Sequence, residues 1–294
     1  MSSPPLVGLI PIDKPAGVSS RAVVDVVARA AGTKSVGHAG TLDPLARGVV
    51  LVCVGAATRL VDHLHELPKH YRATFALGRS SPSDDLETPV VIEEDPLRPD
   101  AGALAAAARS LEGEILQRPC DYSAVHVDGK RAYRLARKGR PVELAPKPVR
   151  IDRLAILGYD WPRLEVDVIC SSGTFIRAIG RDLAAALGTG AVMESLERTA
   201  IGPFQRASAV DPDAVNPTSL VRLLQPALAA VPHLARVTVS RQDRDSLALG
   251  RPISLPPESA EALAAVDDDG LLVGILRALP GGGYRLRPSF IGRH

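Results

Sequence analysis

Cysteine is scarce in this chain. Cys53, Cys120 and Cys170 are far apart and odd in number among 294 residues, which argues against a disulfide framework and against a CxxC metal site. A reduced, cytoplasmic protein is expected. Aromatic residues make up only 3%, so each Tyr, Phe or Trp able to stack on a planar ligand is worth locating. Long apolar runs are missing too. The longest, around Val49 to Ala57, falls far short of a bilayer span, so no membrane partner is expected. The opening MSSPPLVGLIPIDKP has no basic n-region and no extended apolar h-region, and does not read as a secretory signal. Neither a GxSxG elbow nor a Walker sequence occurs. Strong net charge is also lacking, at +2 overall, but its distribution is uneven. Residues 118–153 carry ten Lys and Arg against Asp121, Asp128, Glu143 and Asp152, a local +6 that leaves −4 for the rest. A basic block in an acidic background suits either a phosphate-contacting surface or a solvated helix face.

Hydrophobic residues reach 46%, enough for a substantial core, and the length suits one large domain followed by a small one. Leu6–Ile12 reads as a strand running into the turn Asp13-Lys14-Pro15-Ala16-Gly17. Ser19 and Ser20 can cap a helix with Val23, Val27 and Ala30 on its apolar face and Gly32 as its stop. Val49–Val54, Tyr71–Leu77, Ile151–Leu157 and Leu164–Cys170 read as strands. Ala101–Leu111, Lys130–Lys138 and Thr174–Leu187 read as helices, and Leu86–Asp100 as an exposed acidic loop. The pattern shifts to short elements beyond about Asp211, which places a domain boundary near Ala230. Strands and helices mix without βαβ alternation, favouring an α+β fold with a mixed sheet over a doubly wound α/β one.

The most informative stretch is Gly37-His38-Ala39-Gly40-Thr41-Leu42-Asp43-Pro44-Leu45-Ala46-Arg47-Gly48. It sets an imidazole and a carboxylate five positions apart on a Gly-rich loop, and scaffolded loops commonly display reactive groups. Taken alone the signal is weak, since an Asp before Pro is more often a turn residue. His38 and Asp43 also lack the further ligands a metal site needs.

This stretch resembles the signature loop of the TruB family of tRNA pseudouridine synthases, and five further segments resemble the same family in the same order. They are Asp13-Lys14-Pro15-Ala16-Gly17-Val18-Ser19-Ser20; Lys69-His70-Tyr71-Arg72-Ala73; Ser123-Ala124 through Gly129-Lys130-Arg131-Ala132-Tyr133 with Ala136-Arg137; Cys170-Ser171-Ser172-Gly173-Thr174-Phe175-Ile176-Arg177; and Leu196-Glu197-Arg198-Thr199 with Gly202-Pro203-Phe204. The likeness is close over about residues 6–206 and weaker beyond. Arg47, Cys120-Asp121, His126 and Phe175 depart from the usual pattern.

The resemblance implies a pseudouridine-synthase core (residues 1–230) with a mixed, mainly antiparallel sheet. An RNA-binding insertion would carry the basic segment, and a small PUA-like domain would occupy residues 231–294. It implies conversion of the T-loop uridine of tRNA, position 55, to pseudouridine by base flipping. A redox-neutral isomerisation of this kind calls for no cofactor and no metal. Asp43 takes the place of the attacking acid, Arg177 of the arginine that pairs with it, and Tyr71 of the tyrosine that stacks on the flipped uracil. His38 falls on the residue that fills the gap left by the extruded base, and Lys14, Pro15 and Leu196 on positions that shape the pocket. Arg131, Arg134, Arg137, Lys138 and Arg140 become candidates for phosphate contact. The expected partner is tRNA and the expected state a monomer. Each residue also has a plainer reading: Arg177 a structural ion pair, Tyr71 and Leu196 core, His38 a loop histidine bonded to backbone. Rival functions are an RNA chaperone of the same fold, a homologue acting on another RNA, and a glycosidic hydrolase. The last usually wants a second carboxylate.

Overall fold

The computed structural model describes residues 6–123, 125–127, 129–139, 144–256 and 260–290. Strand β1 (Gly8–Lys14) turns at Asp13–Gly17 into helix α1 (Ser20–Ala31). Ser19 caps that helix by accepting from the Ala22 N–H, a contact worth about 1 kcal/mol, and Gly32 ends it at φ +61°. Its buried face, Val23, Val24, Val27 and Ala30, packs into the core. There follow β2 (Val36–His38), β3 (Arg47–Val54), α2 (Val61–Glu66), β4 (Lys69–Leu77) and the small pair β5 (Arg79–Ser80) and β6 (Val91–Ile92). Helix α3 (Ala101–Ser110) leads to β7 (Gly113–Gln117). The basic segment forms a hairpin, β8 (His126–Val127) with β9 (Lys130–Arg131), running into the short helix α4 (Ala132–Ala136). Then come β10 (Lys147–Asp160), β11 (Arg163–Cys170), α5 (Ile176–Ala186), β12 (Ala191–Ile201) and β13 (Phe204–Gln205). Helix α6 (Pro217–Leu223) precedes a C-terminal group of β14 (Arg236–Thr238), α7 (Arg241–Ala248), β15 (Ala262–Val266), β16 (Leu272–Ala278) and β17 (Tyr284–Ser289).

The main sheet runs β1-β3-β12-β4-β11-β10-β7, with β2 and β13 paired at its side. Only the β3–β12 pairing along this path is parallel, with Arg198 opposite Gly48; its other pairings are antiparallel. The expected mixed, mainly antiparallel α+β architecture is therefore the observed one. β3 and β12 approach closely at Gly48 (φ +105°), where an added Cβ would sit 2.2 Å from the Arg198 carbonyl oxygen. The C-terminal group forms a separate sheet, β14-β15-β16-β17, with its own apolar cluster around Val239, Leu263, Val273 and Leu286. Ala264 and Ile275 of that sheet also join Leu60, Leu64, Leu67 and Val231 in the cluster that binds it to the core. Among the described residues no helix is long and apolar enough to cross a membrane.

Several elements differ from expectation, among them β2, β6 and β7, which were not expected as strands. The helix expected over Lys130–Lys138 is confined to Ala132–Ala136, because Lys130 and Arg131 pair with Val127 and His126 in the hairpin. The helix expected from Thr174 starts at Ile176, since Gly173 takes φ +86° and closes a turn first. Strand β12, near the middle of the sheet, has no counterpart in the sequence reading.

Candidate active site

The loop of Asp43 is pinned from three directions. The buried Ser20 hydroxyl donates to the Leu42 carbonyl at 3.1 Å and accepts from the Leu42 N–H at 2.8 Å. The Lys14 ammonium, fully buried, donates to the carbonyls of Val18 at 2.7 Å, Pro15 at 2.9 Å and Pro44 at 3.4 Å. Arg198, from β12, donates to the Gly40 carbonyl at 3.0 Å and to Thr41 at 3.5 Å. Burial pushes the Lys14 amine down to about 8, with Asp43 opposing the shift. A short, polar, Gly-containing loop would otherwise be mobile; these anchors fix the direction in which Asp43 points.

Asp43 meets Arg177, the second residue of α5, at 3.1 Å. Gln117 sets the start of that helix. Its side-chain oxygen accepts from the Phe175 N–H at 2.8 Å and its amide donates to the Phe175 carbonyl at 3.1 Å. Further along α5, Gly180 lies flat on Phe75 of β4, where a Cβ would fall 2.1 Å from the ring. Arg177 itself is buried and donates to the carbonyls of Ser83 at 2.9 Å and Tyr122 at 3.2 Å. It also faces a second carboxylate, the buried Asp85, at 3.3 Å. One guanidinium thus answers two acids. The Asp43 carboxyl is held above its ordinary range: burial raises it, Arg177 pulls it back, and the charges of Asp85 and Glu87 raise it again. Its side chain is still 36% exposed, so a ligand can reach it.

Tyr71 lies on β4 directly across from Arg198 on β12. The guanidinium of Arg198 sits 6.0 Å from the ring centre and donates to the phenol oxygen at 3.5 Å. Burial raises the Tyr71 pKa and so keeps it a neutral phenol. Asp43, Tyr71 and Arg177 wall one cavity of about 360 Å³, together with Leu196, Arg198 and Ser123. That volume is at the small end of ligand pockets, roughly 300–1,000 Å³. The buried Ser123 hydroxyl has no hydrogen-bond partner among the described residues.

Other predicted residues stand apart from the cavity wall. Lys14 and Pro15 line a separate hollow, and Lys14 reaches the Asp43 loop through the Pro44 carbonyl. His38, on β2, is not among the lining residues; among the described residues its buried Nδ1 has no hydrogen-bond partner, and burial, then Arg198, lowers its pKa. Arg131, Arg134, Arg137 and Lys138 are exposed, and Arg140 lies outside the described residues. Arg137 is held by Glu87 at 2.6 Å and stacks 5.3 Å from the Tyr133 ring. The start of α4, just after the hairpin, bonds to cavity-lining residues through its backbone: Ala132 N–H to Val125 O at 2.7 Å and Tyr133 N–H to Ser123 O at 3.0 Å. Arg47, one of the departures, bonds Glu197 of β12 at 2.8 Å.

Sequence reasoning overlooked Arg198 and Asp85. Arg198 stood inside a quoted motif, and its burial as a charge is the signal that marks it. For Asp85 the signal is weaker, an Asp-Asp pair in a polar turn, with Asp84 at φ +58° bonding Arg181 at 3.2 Å.

Residues 28–176 match the profile of the TruB family pseudouridylate synthase N-terminal domain. This chain belongs to the TruB family. The tRNA pseudouridine synthase B of Mycobacterium tuberculosis (strain ATCC 25618 / H37Rv) is 39% identical over 277 residues, covering 92% of this chain and 91% of the relative. That of Arthrobacter sp. (strain FB24) is 40% identical, covering 95% and 94%. Among solved structures, a chain of an H/ACA RNP bound to a substrate RNA containing 2'-deoxyuridine aligns with TM-score 0.72 at 22% identity, over 97% of this chain and 86% of that one. A chain of a Cbf5-Nop10-Gar1 complex aligns equally well, over 97% and 85%. These two share the TruB-type fold.

Proposed function

We propose that this chain is a cytoplasmic, monomeric enzyme that isomerises the T-loop uridine of tRNA, position 55, to pseudouridine. The observation that carries the reading is a reachable carboxylate, Asp43, paired with a buried arginine and lining, together with Tyr71, a cavity of about 360 Å³. TruB family membership and the tRNA pseudouridine synthase B relatives, aligned over nearly the whole chain, support the substrate class.

The reaction breaks the N1–C1′ bond, turns the uracil and joins C5 to C1′; N1 gains a proton and C5 gives one up. The reacting bond cannot be reached within a stacked loop, so the nucleotide must be flipped out. Tyr71 replaces part of the lost stacking, worth about 1–3 kcal/mol per base in single-strand binders. As a neutral phenol it passes a proton on more readily than it removes one. Asp43, ionised, acts as nucleophile or base on the nucleoside. Arg177 orients it, and Arg198 holds both the loop and Tyr71 in place. The Ser123 hydroxyl, without a hydrogen-bond partner among the described residues, meets a polar edge of the base. Arg131, Arg134, Lys138 and Arg140 contact phosphates. Residues 1–230 form the catalytic domain and residues 231–294 a PUA-like domain that touches the tRNA body.

The test is position-mapped pseudouridine formation on an unmodified tRNA transcript. Wild type is expected to convert uridine 55. Asp43→Asn is expected to bind the transcript and yield no product. Binding without product in the wild type would leave only an RNA-folding role, and product elsewhere would name another target.

A further inference from the structure

Helix α2 carries His63 and Glu66 three positions apart, on one face. His233, from the segment leading to β14, comes to meet them. The Glu66 Oε2 lies 3.6 Å from His63 Nδ1 and 3.1 Å from His233 Nε2, and one donor atom from each of the three residues lies within 4.8 Å of the other two. Around a tetrahedral zinc with bonds of about 2.0–2.2 Å, ligand atoms stand roughly 3.3–3.5 Å apart. Two edges of the triangle are therefore close to size, and rotation of the half-exposed His233 closes the third. A second observation points the same way. His63 is buried, and among the described residues its Nδ1 makes no close hydrogen bond, with Glu66 standing off at 3.6 Å; a buried polar atom so loosely paired is costly unless something fills the gap. Imidazole and carboxylate donors are of the kind zinc takes, with water completing the fourth place. Arg277, on β16, opposes a cation at His63, and the Glu66 carboxylate offsets it. None of the three residues lines the Asp43 cavity.

We propose that His63, Glu66 and His233 bind a divalent transition metal, zinc by ligand type, and that the ion ties the chain leading into the C-terminal sheet to helix α2. Neither the uridine chemistry nor its residues require this site.

The test strips the full-length protein with a chelator and titrates it with Zn²⁺ and, separately, Co²⁺. Wild type is expected to bind one equivalent, to gain Tm with rising metal concentration, and to give a visible Co²⁺ ligand-field band. His63→Ala opens a buried position and could unfold the protein. The decisive variants are therefore Glu66→Gln and His233→Gln, whose side chains are solvent-accessible. Each should fold, lose the Co²⁺ band and weaken Zn²⁺ binding at least ~10-fold, since even outer-shell partners are worth that much. His126→Gln, an exposed histidine on β8, should change nothing. Less than one equivalent in the wild type, or affinity and spectrum unchanged in both decisive variants, overturns the proposal.

Discussion

Burial raises the Asp43 pKa, and Arg177, which must serve Asp85 as well, opposes that rise; together they set when Asp43 is ionised. Activity needs the ionised form, so it should fall as pH drops through the Asp43 pKa. That pKa lies above the ordinary carboxylate value of about 4. The acid limb of kcat/KM reports the free enzyme and is expected above the usual carboxylate range. Asp85→Asn removes a like charge and releases the guanidinium, so its limb should move to lower pH. Arg177→Lys keeps the charge but loses the fork that reaches Ser83, Tyr122 and Asp43 together. Its limb should move to higher pH. A lost charge-assisted hydrogen bond of about 1.5–3 kcal/mol should lower its kcat by ~10–100-fold. Limbs that coincide in both variants and wild type would remove Asp85 from this role. At this scale the sequence was legible where a residue type is unusual in its surroundings. Asp43 stood out on its Gly-rich loop, and Tyr71 in a chain with 3% aromatics. Asp85 did not, because an acid in a polar turn looks solvated until its partner, 92 positions away in the chain, is placed beside it.

Elements carry those residues into register, and here the legibility is uneven. Helix α1 and strands β1, β3, β4 and β11 were read nearly to their ends because capping residues, β-branched runs and alternation agree. β12 was missed for a physical reason. Its sequence, AVMESLERTAI, is rich in residues with high helix propensity, and strand formation is imposed by neighbours β3 and β4 on either side. With the strand unseen, the placement of Arg198 opposite Tyr71 could not be seen either. Helix α5 depends on a close approach that only glycine allows. Gly180→Ala sets a Cβ into the Phe75 ring, so the helix must lift and take Arg177, one turn earlier, with it. Overpacking of this kind costs about 1–3 kcal/mol, read as a lower Tm, with kcat falling as well. Gly158→Ala, where no atom lies within 4 Å of the new Cβ, should stay within about 0.5 kcal/mol of wild type. Equal effects at both positions would show that the α5–β4 approach is not what positions Arg177.

For the molecule as a whole, the charge asymmetry seen in the sequence becomes a place. The +6 window folds in part as a hairpin and short helix whose backbone is bonded to Ser123 and Val125, which line the Asp43 cavity. Phosphate contact there would bring the backbone of a folded RNA next to the pocket that must receive its flipped base. The cations are not equivalent. Arg137 is already engaged by Glu87, whereas no ion pair ties down Arg131 or Arg134 among the described residues, and Arg134 bonds only its neighbour's phenol at 3.3 Å. The double reversal Arg131→Glu with Arg134→Glu should therefore weaken tRNA binding more than Arg137→Glu does. Each phosphate contact contributes up to ~0.9 to the slope of log K against log salt on a duplex. Losing two should flatten that slope by about 1.5–2. Because neither residue lines the cavity, kcat at saturating tRNA should stay close to wild type. A salt slope identical to wild type would place the phosphate contacts elsewhere on the protein, and a collapsed kcat at saturation would mean that the hairpin shapes the pocket itself.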